Sequence, residues 1–337
     1  MGQEGAGWMR DRGMRRRLLT LVPSAVLALS LYLVDLPLWV ESPGGARPVL
    51  PLVSIDGVPT YDSDGRLLLT TVNVGRANLY YAARAWLDPT ARVLSERDVL
   101  PAGQTDREYR QISLSQMDQS KIAAVAVALE GATDYPSEHG EGVLVYTTVP
   151  GTPAHGRLFP GDLITSVDGT ALGGLQDLRG ALDEAGTERT LRLLAGPVEG
   201  GETRSVELRT TRDEEGRPLI GILPLPNFPF DVRIESGSIG GPSAGLMWAV
   251  GVTDLLTAED LTHGRVIAGT GTVSLDGGVG PIGGIALKVI AAERADAEAF
   301  LLPQGNLAEA RSAQADDIRL VPVNTVEQAI AFLEGQP

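Results

Sequence analysis

Gly241-Pro-Ser-Ala-Gly245, Ala268-Gly-Thr-Gly-Thr-Val-Ser-Leu275 and Gly280-Pro-Ile-Gly-Gly-Ile-Ala-Leu-Lys-Val-Ile-Ala-Ala292 are the three blocks that decide how this 337-residue chain folds. The first is a glycine-rich turn feeding Ala244–Leu256, a segment apolar almost all round, which predicts a buried helix. The second predicts strands over Val266–Thr270 and Val273–Leu275. The third is a glycine turn opening a helix over Ile285–Ala297. Further out, Leu219–Leu223, Phe230–Glu235, Ala299–Pro303 and Ile318–Val323 read as strands, and Leu307–Ala313 and Val326–Glu334 as helices. Strands alternating with helices predict an α/β domain over 218–337.

Composition narrows the chemistry. Of 28 basic residues, 26 are Arg; the two lysines are Lys121 and Lys288. With no Cys, thiol nucleophiles, disulfides, iron–sulfur clusters and thiolate zinc sites are excluded. His139, His155 and His263 are scattered and form no HExxH, so no metal site is expected. A net charge of −15 with almost no Lys argues against nucleic acid as a partner. Gly241–Gly245 fits the G-x-S-x-G pattern, but a nucleophile elbow needs an acid and a His downstream, and only His263 follows. Ser243 is therefore either a nucleophile with another base or part of a packing turn. Lys288 sits on an apolar helix face with Ile285, Val289 and Ala292, where burial lowers an amine's pKa; alternatively its stem packs and its amine reaches water. Arg could not replace it as a base, because guanidinium does not deprotonate in proteins.

The three blocks, with Asp231-Val-Arg-Ile-Glu235 before them and Phe300-Leu-Leu-Pro through Asn306 after them, resemble the proteolytic domain of Lon-type serine–lysine peptidases over about 110 residues. The resemblance implies Ser243 as nucleophile, Lys288 as general base and Thr270 as the hydroxyl that holds the amine. Backbone N–H groups around Gly241–Ser243, the turn of Gly241 and Pro242 at the positive end of the 244–256 helix, are expected to stabilise the oxyanion. It implies no cofactor, protein or peptide substrates, and a homo-oligomer, since such domains commonly form rings. The chain departs from the ATP-dependent members in two ways. No G-x4-G-K-[ST] loop is present, so no ATP is expected, and the position three before the serine, usually acidic there, is Gly240.

Residues 142–210 form a separate pattern: a Gly142-Val-Leu-Val strand, a Gly-Thr-Pro-Ala loop, Pro160-Gly-Asp-Leu-Ile-Thr-Ser-Val-Asp-Gly169, an amphipathic Leu175–Ala185 helix, and strands over Thr190–Leu194 and Arg204–Arg209. The pattern resembles a PDZ domain, here bounded at 136–213. It implies an extended peptide or C-terminal tail added to an edge at Gly142, Val143, Leu144 and Val145. The other reading is a groove filled by a neighbouring segment.

At the N-terminus, residues 1–17 hold five Arg against Glu4 and Asp11, and Leu18–Val40 is apolar except for Asp35. As a helix, 18–40 would span about 34 Å, enough for a membrane. The Arg cluster keeps the tail cytoplasmic and the rest extracytoplasmic. A signal peptide cleaved near Gly44-Gly45-Ala46 is the alternative. Glu41–Pro48 reads as a linker, Val49–Ile55, Arg66–Val74 and Asn78–Trp86 as strands, and 106–131 as a helix. Residues 41–135 are candidates to complete the peptidase domain, with the PDZ unit inserted. The combined expectation is a Lon-type α/β (α+β) domain with a β-rich PDZ domain and one N-terminal transmembrane helix. Its function would be that of a membrane-anchored, ATP-independent endopeptidase for exported or unfolded proteins. The alternative is a non-catalytic PDZ adaptor.

Overall fold

The computed structural model describes residues 32–33, 35–100, 103–313, 315 and 317–335. The chain divides into two compact units, residues 1–43 with 72–105, and residues 44–71 with 106–337.

In the larger unit the first residues of strand Arg66–Asn78 pair in parallel with Val266–Gly269. Val266–Gly269 pairs with Ala299–Pro303, and that strand with Arg319–Val323, again in parallel. Side chains alternate along these strands and so feed two cores. Leu67, Leu69, Ile267 and Leu301 pack with the Gly245–Leu256 helix and the long Asp106–Ala132 helix. Leu68, Ala268, Phe300 and Leu302 pack with the Ile285–Glu293 helix. The sheet thus separates the helix that follows Ser243 from the helix that carries Lys288. Their side chains can meet only past the C-terminal ends of the strands, which is where open α/β sheets place their sites.

Between the long helix and strand Asp231–Ile234 lies an antiparallel sheet in the order Ile222–Asn227, Gly140–Thr148, Asp162–Val167, Thr190–Pro197, Arg204–Arg209. Its own core joins Val143, Val145, Ile164 and Leu193 to Leu178 and Leu182 of the Leu175–Ala185 helix.

In the smaller unit Leu38–Glu41 pairs antiparallel with Arg92–Ser95, and Leu79–Leu87 is a helix. Three expectations change over residues 18–86. Asn78–Trp86 is not a strand: the Asn78 side chain accepts from the Tyr81 N–H at 2.9 Å and starts a helix rich in alanine. Glu41–Pro48 is not a linker but part of strand Asp35–Pro48. Its glycines permit a close pairing: a Cβ on Gly44 would lie 2.4 Å from Thr71 Oγ1, while Gly45 N–H donates to that oxygen at 3.1 Å. The expected helix over 18–40 falls on residues 18–31 and 34 outside the described residues, and its last six residues belong to the Asp35–Pro48 strand. Among the described residues no helix is long and apolar enough to cross a membrane.

Candidate active site

Ser243 lies in the turn before the Gly245–Leu256 helix and is half-buried, so its hydroxyl is reachable. The turn is held from two directions. From the long helix, the Ser113 carbonyl accepts the Gly241 N–H at 2.7 Å, and Ser120 Oγ donates to the Pro242 carbonyl at 2.9 Å. From the strand end, the Ser243 carbonyl accepts the Gly271 N–H and the Thr270 hydroxyl, both at 2.8 Å. Gly241 has φ +83, a conformation that only glycine adopts without strain.

Lys288 stands in the first turn of its helix, whose start is set by Gly284 at φ +69. The preceding glycine turn is clamped by buried Asn306, which accepts the Ile282 N–H at 2.8 Å and donates to the Ile282 carbonyl at 2.9 Å. Gly269 lets the central strand pass beneath: a Cβ there would sit 2.5 Å from Met247 Sδ. With backbone on both sides so fixed, the Lys288 amine is brought 2.7 Å from Ser243 Oγ and 2.9 Å from Thr270 Oγ1.

Lys288 is 4% exposed, and burial alone pushes its pKa down from 10.5 to about 7. Near neutrality the amine is therefore often uncharged. The proton inventory then orders the site. The Thr270 hydroxyl hydrogen is committed to the Ser243 carbonyl, so Thr270 Oγ1 accepts from Nζ. That fixes one amine hydrogen and leaves the lone pair free to face Ser243 Oγ, the arrangement a general base needs.

The sequence brought Ser243, Lys288 and Thr270 to notice, and the fold brings all three together. Two other expectations do not survive. Pro242 has no N–H, and the Gly241 N–H is taken by Ser113, so neither donates to an oxyanion. The N–H groups of Ser243 and Ala244, at the positive end of the helix, are the donors remaining in that turn. Second, Gly142–Val145 has no open edge: its strand pairs with Ile222–Asn227 on one side and Asp162–Val167 on the other. The edge strands of that sheet are Ile222–Asn227 and Arg204–Arg209, and Ile222–Asn227 is the one beside the Leu175–Ala185 helix.

Ser113 and Ser120 were missed by sequence reading. They are seven residues apart, hence on one helix face, with Met117 between them accepting from Trp248 Nε1 at 3.5 Å. The same helix accounts for Gly240. A Cβ there would lie 2.9 Å from Ser113 Cβ, so an acidic side chain at this position would have to displace the helix.

Residues 230–333 match the Lon protease (S16) C-terminal proteolytic domain, and residues 144–195 match a PDZ domain. The chain thus carries a Lon-type proteolytic domain, of the serine-peptidase class, together with a PDZ domain. Among curated relatives it is similar to Lon protease 1 of Herpetosiphon aurantiacus, 40% identical over 115 residues, covering 32% of this chain and 14% of that one. Lon protease of Desulfosudis oleivorans is 41% identical over 81 residues, 23% of this chain and 10% of its own. Lon protease 2 of Bacillus subtilis is 33% identical over 104 residues, 31% and 17% respectively. The chain therefore spans less than a fifth of the length of these relatives. The PDZ domain of an SdrC-like protein of Listeria monocytogenes is 28% identical, covering 25% of this chain and 86% of that chain, with a TM-score of 0.23.

Proposed function

We propose that this protein is a membrane-anchored, ATP-independent Ser/Lys endopeptidase that cleaves exported or unfolded proteins, selected partly by its PDZ domain. The observation that carries the reading is the buried Lys288 amine at 2.7 Å from Ser243 Oγ. Neutral Lys288 takes the Ser243 proton as the hydroxyl attacks a peptide carbonyl. The resulting ammonium is held by Thr270 and returns the proton to the leaving amine. The tetrahedral oxygen is stabilised by the Ser243 and Ala244 N–H groups. Water enters the vacated side and hydrolyses the acyl-enzyme, with Lys288 again as base.

The PDZ part of the reading moves to a different edge. A peptide would add beside Ile222–Asn227, an outer strand, with the Leu175–Ala185 helix close by. Pro224 and Pro226 sit two residues apart and so face the same way. On an edge strand that is the open side. Two N–H donors are thereby missing, and side-chain pockets carry more of the selection than the main-chain ladder. The anchor is supported by the Arg-rich residues 1–17 and the apolar run that follows. Since the strand begins at Asp35, the run available to cross the membrane is 18–34. As a helix it would measure about 25 Å, at the short end of the spanning range.

The test is cleavage of casein and of a fluorogenic peptide by the full chain in detergent, without nucleotide. Wild type is expected to cleave, and Ser243→Ala and Lys288→Met, which leave no charge in the buried site, to be inactive while folding normally. Cleavage by Ser243→Ala at the wild-type rate would sink the mechanism. An intact, wholly inactive wild type that still retains peptides would favour the adaptor.

A further inference from the structure

In the smaller unit the nine-residue helix Leu79–Leu87 buries only Ala85. At 100° per residue, Leu79, Tyr80, Ala83, Trp86 and Leu87 fall on one face. That face is turned outward: Trp86 is 84% exposed, Leu87 77%, Tyr80 45% and Leu79 41%. A contiguous apolar face of this kind marks a surface that something covers. The helix has no acidic residue, and its one charged side chain, exposed Arg84, is cationic, in a chain whose net charge is −15.

What covers it is indicated by the chain itself. Tyr32, a described residue near the end of the N-terminal apolar run, meets this helix. Asn78, which caps the helix, also donates from Nδ2 to the Tyr32 carbonyl at 3.0 Å. The Tyr32 ring packs against Tyr80 and Tyr81, with centroids 6.2 and 6.1 Å away, and Tyr80 and Tyr81 meet edge to face at 5.4 Å. Three tyrosines therefore cluster near the end of the proposed anchor, and the same helix carries the outward Trp86. Tyr and Trp favour the membrane–water boundary because their rings are apolar and their polar tips wet. Arg84 at the margin of the face suits lipid phosphates.

We propose that the Leu79–Leu87 helix lies in the outer interface of the bilayer, with Trp86 and Leu87 inserted among the lipid acyl chains beside the anchor. The contact supplements the short 18–34 span and holds this unit against the membrane surface. The inference rests on the anchored reading above, and the experiment separates the two.

The absence of cysteine allows single nitroxide labels without background. The full chain is reconstituted into phosphatidylcholine–phosphatidylglycerol vesicles with a label at Leu87→Cys, at Leu27→Cys in the anchor, or at exposed Glu214→Cys as a water reference. Collisions with oxygen, which concentrates in lipid, are compared with those of a water-soluble nickel chelate. The expected result is an oxygen-to-nickel ratio several-fold higher at Leu87 than at Glu214, and higher still at Leu27. A nickel-accessible Leu87 with a lipid-embedded Leu27 overturns the interfacial helix and leaves the anchor standing. A nickel-accessible Leu27 overturns the anchor and this inference with it. A Leu87 label shielded from both reagents means that protein covers the face and overturns the inference. Spin–spin broadening relieved by unlabelled chain would then identify a second copy.

Discussion

Lowering the pH should switch off this site in a way that measures how deeply Lys288 is buried. The unfolded amine titrates at 10.5 and the folded one at about 7, with burial as the cause. That difference corresponds to about 5 kcal/mol between the charged and neutral forms. At pH 7 about half of the molecules then hold a neutral base, at pH 6 about a tenth, and for an unshifted lysine about three in ten thousand would at pH 7. The prediction is a kcat/KM profile with an ascending limb near pH 7, falling about tenfold per unit below it. A peptide substrate without ionising groups between pH 5 and 9 isolates the enzyme's own titration. The polar partners of Lys288 are Ser243 and Thr270, whereas His139 and His155 bond to Gly140 and Thr148. A variant with all three histidines replaced by Gln should keep the limb. An ascending limb at pH 9 or above, or one abolished with the histidines, would refute the assignment of a buried neutral lysine as base.

Linkage gives a second outcome at the same residue. Between pH 7 and 10.5 the unfolded chain binds a proton that the folded chain does not, so this site's contribution to stability rises with pH across that window and is lowest below it. Lys288→Met should therefore abolish cleavage yet raise the unfolding free energy near pH 6 by up to about 5 kcal/mol, read as a higher urea midpoint; a lower midpoint would contradict it. Thr270→Val leaves an Nζ hydrogen and the Ser243 carbonyl short of a partner, at about 1–3 kcal/mol. It should lower kcat by roughly tenfold to a hundredfold with KM little changed, whereas a change confined to KM would place Thr270 in substrate binding. Gly240→Asp should slow cleavage because its Cβ would meet Ser113 at 2.9 Å, and adding Ser113→Gly should restore part of the rate. No recovery in the double variant would mean that the acid itself, not the clash, is harmful.

The dyad was legible in the sequence because its chemistry is rare in this composition. A serine between glycines and a lysine on an apolar helix face, in a chain that otherwise uses arginine, leave few alternatives. Thr270 was found through the resemblance and not through its own neighbours. The buried helices were legible too, since an all-round apolar segment has only one stable place to go. The strand Asp35–Pro48 was hidden because Pro and Gly at 43–45 and 48 read as a linker, and only pairing with the Arg66–Asn78 strand makes those residues extended. Local propensity cannot report a partner strand that lies tens of residues away.

The sequence by itself determined which residues can do chemistry: residue type sets what can lose a proton, attack or fail to donate, and the missing N–H of Pro242 was there to be read. Tertiary structure alone decided which of those groups are free to act. It consumed the Gly241 N–H on Ser113, closed both edges of the Gly142–Val145 strand and opened that of Ile222–Asn227. It also removed the Lys288 amine from water, which is what turns an ordinary ammonium into a base at neutral pH. Hydrogen-bond commitment and desolvation depend on atoms contributed from across the chain, and no local pattern encodes them.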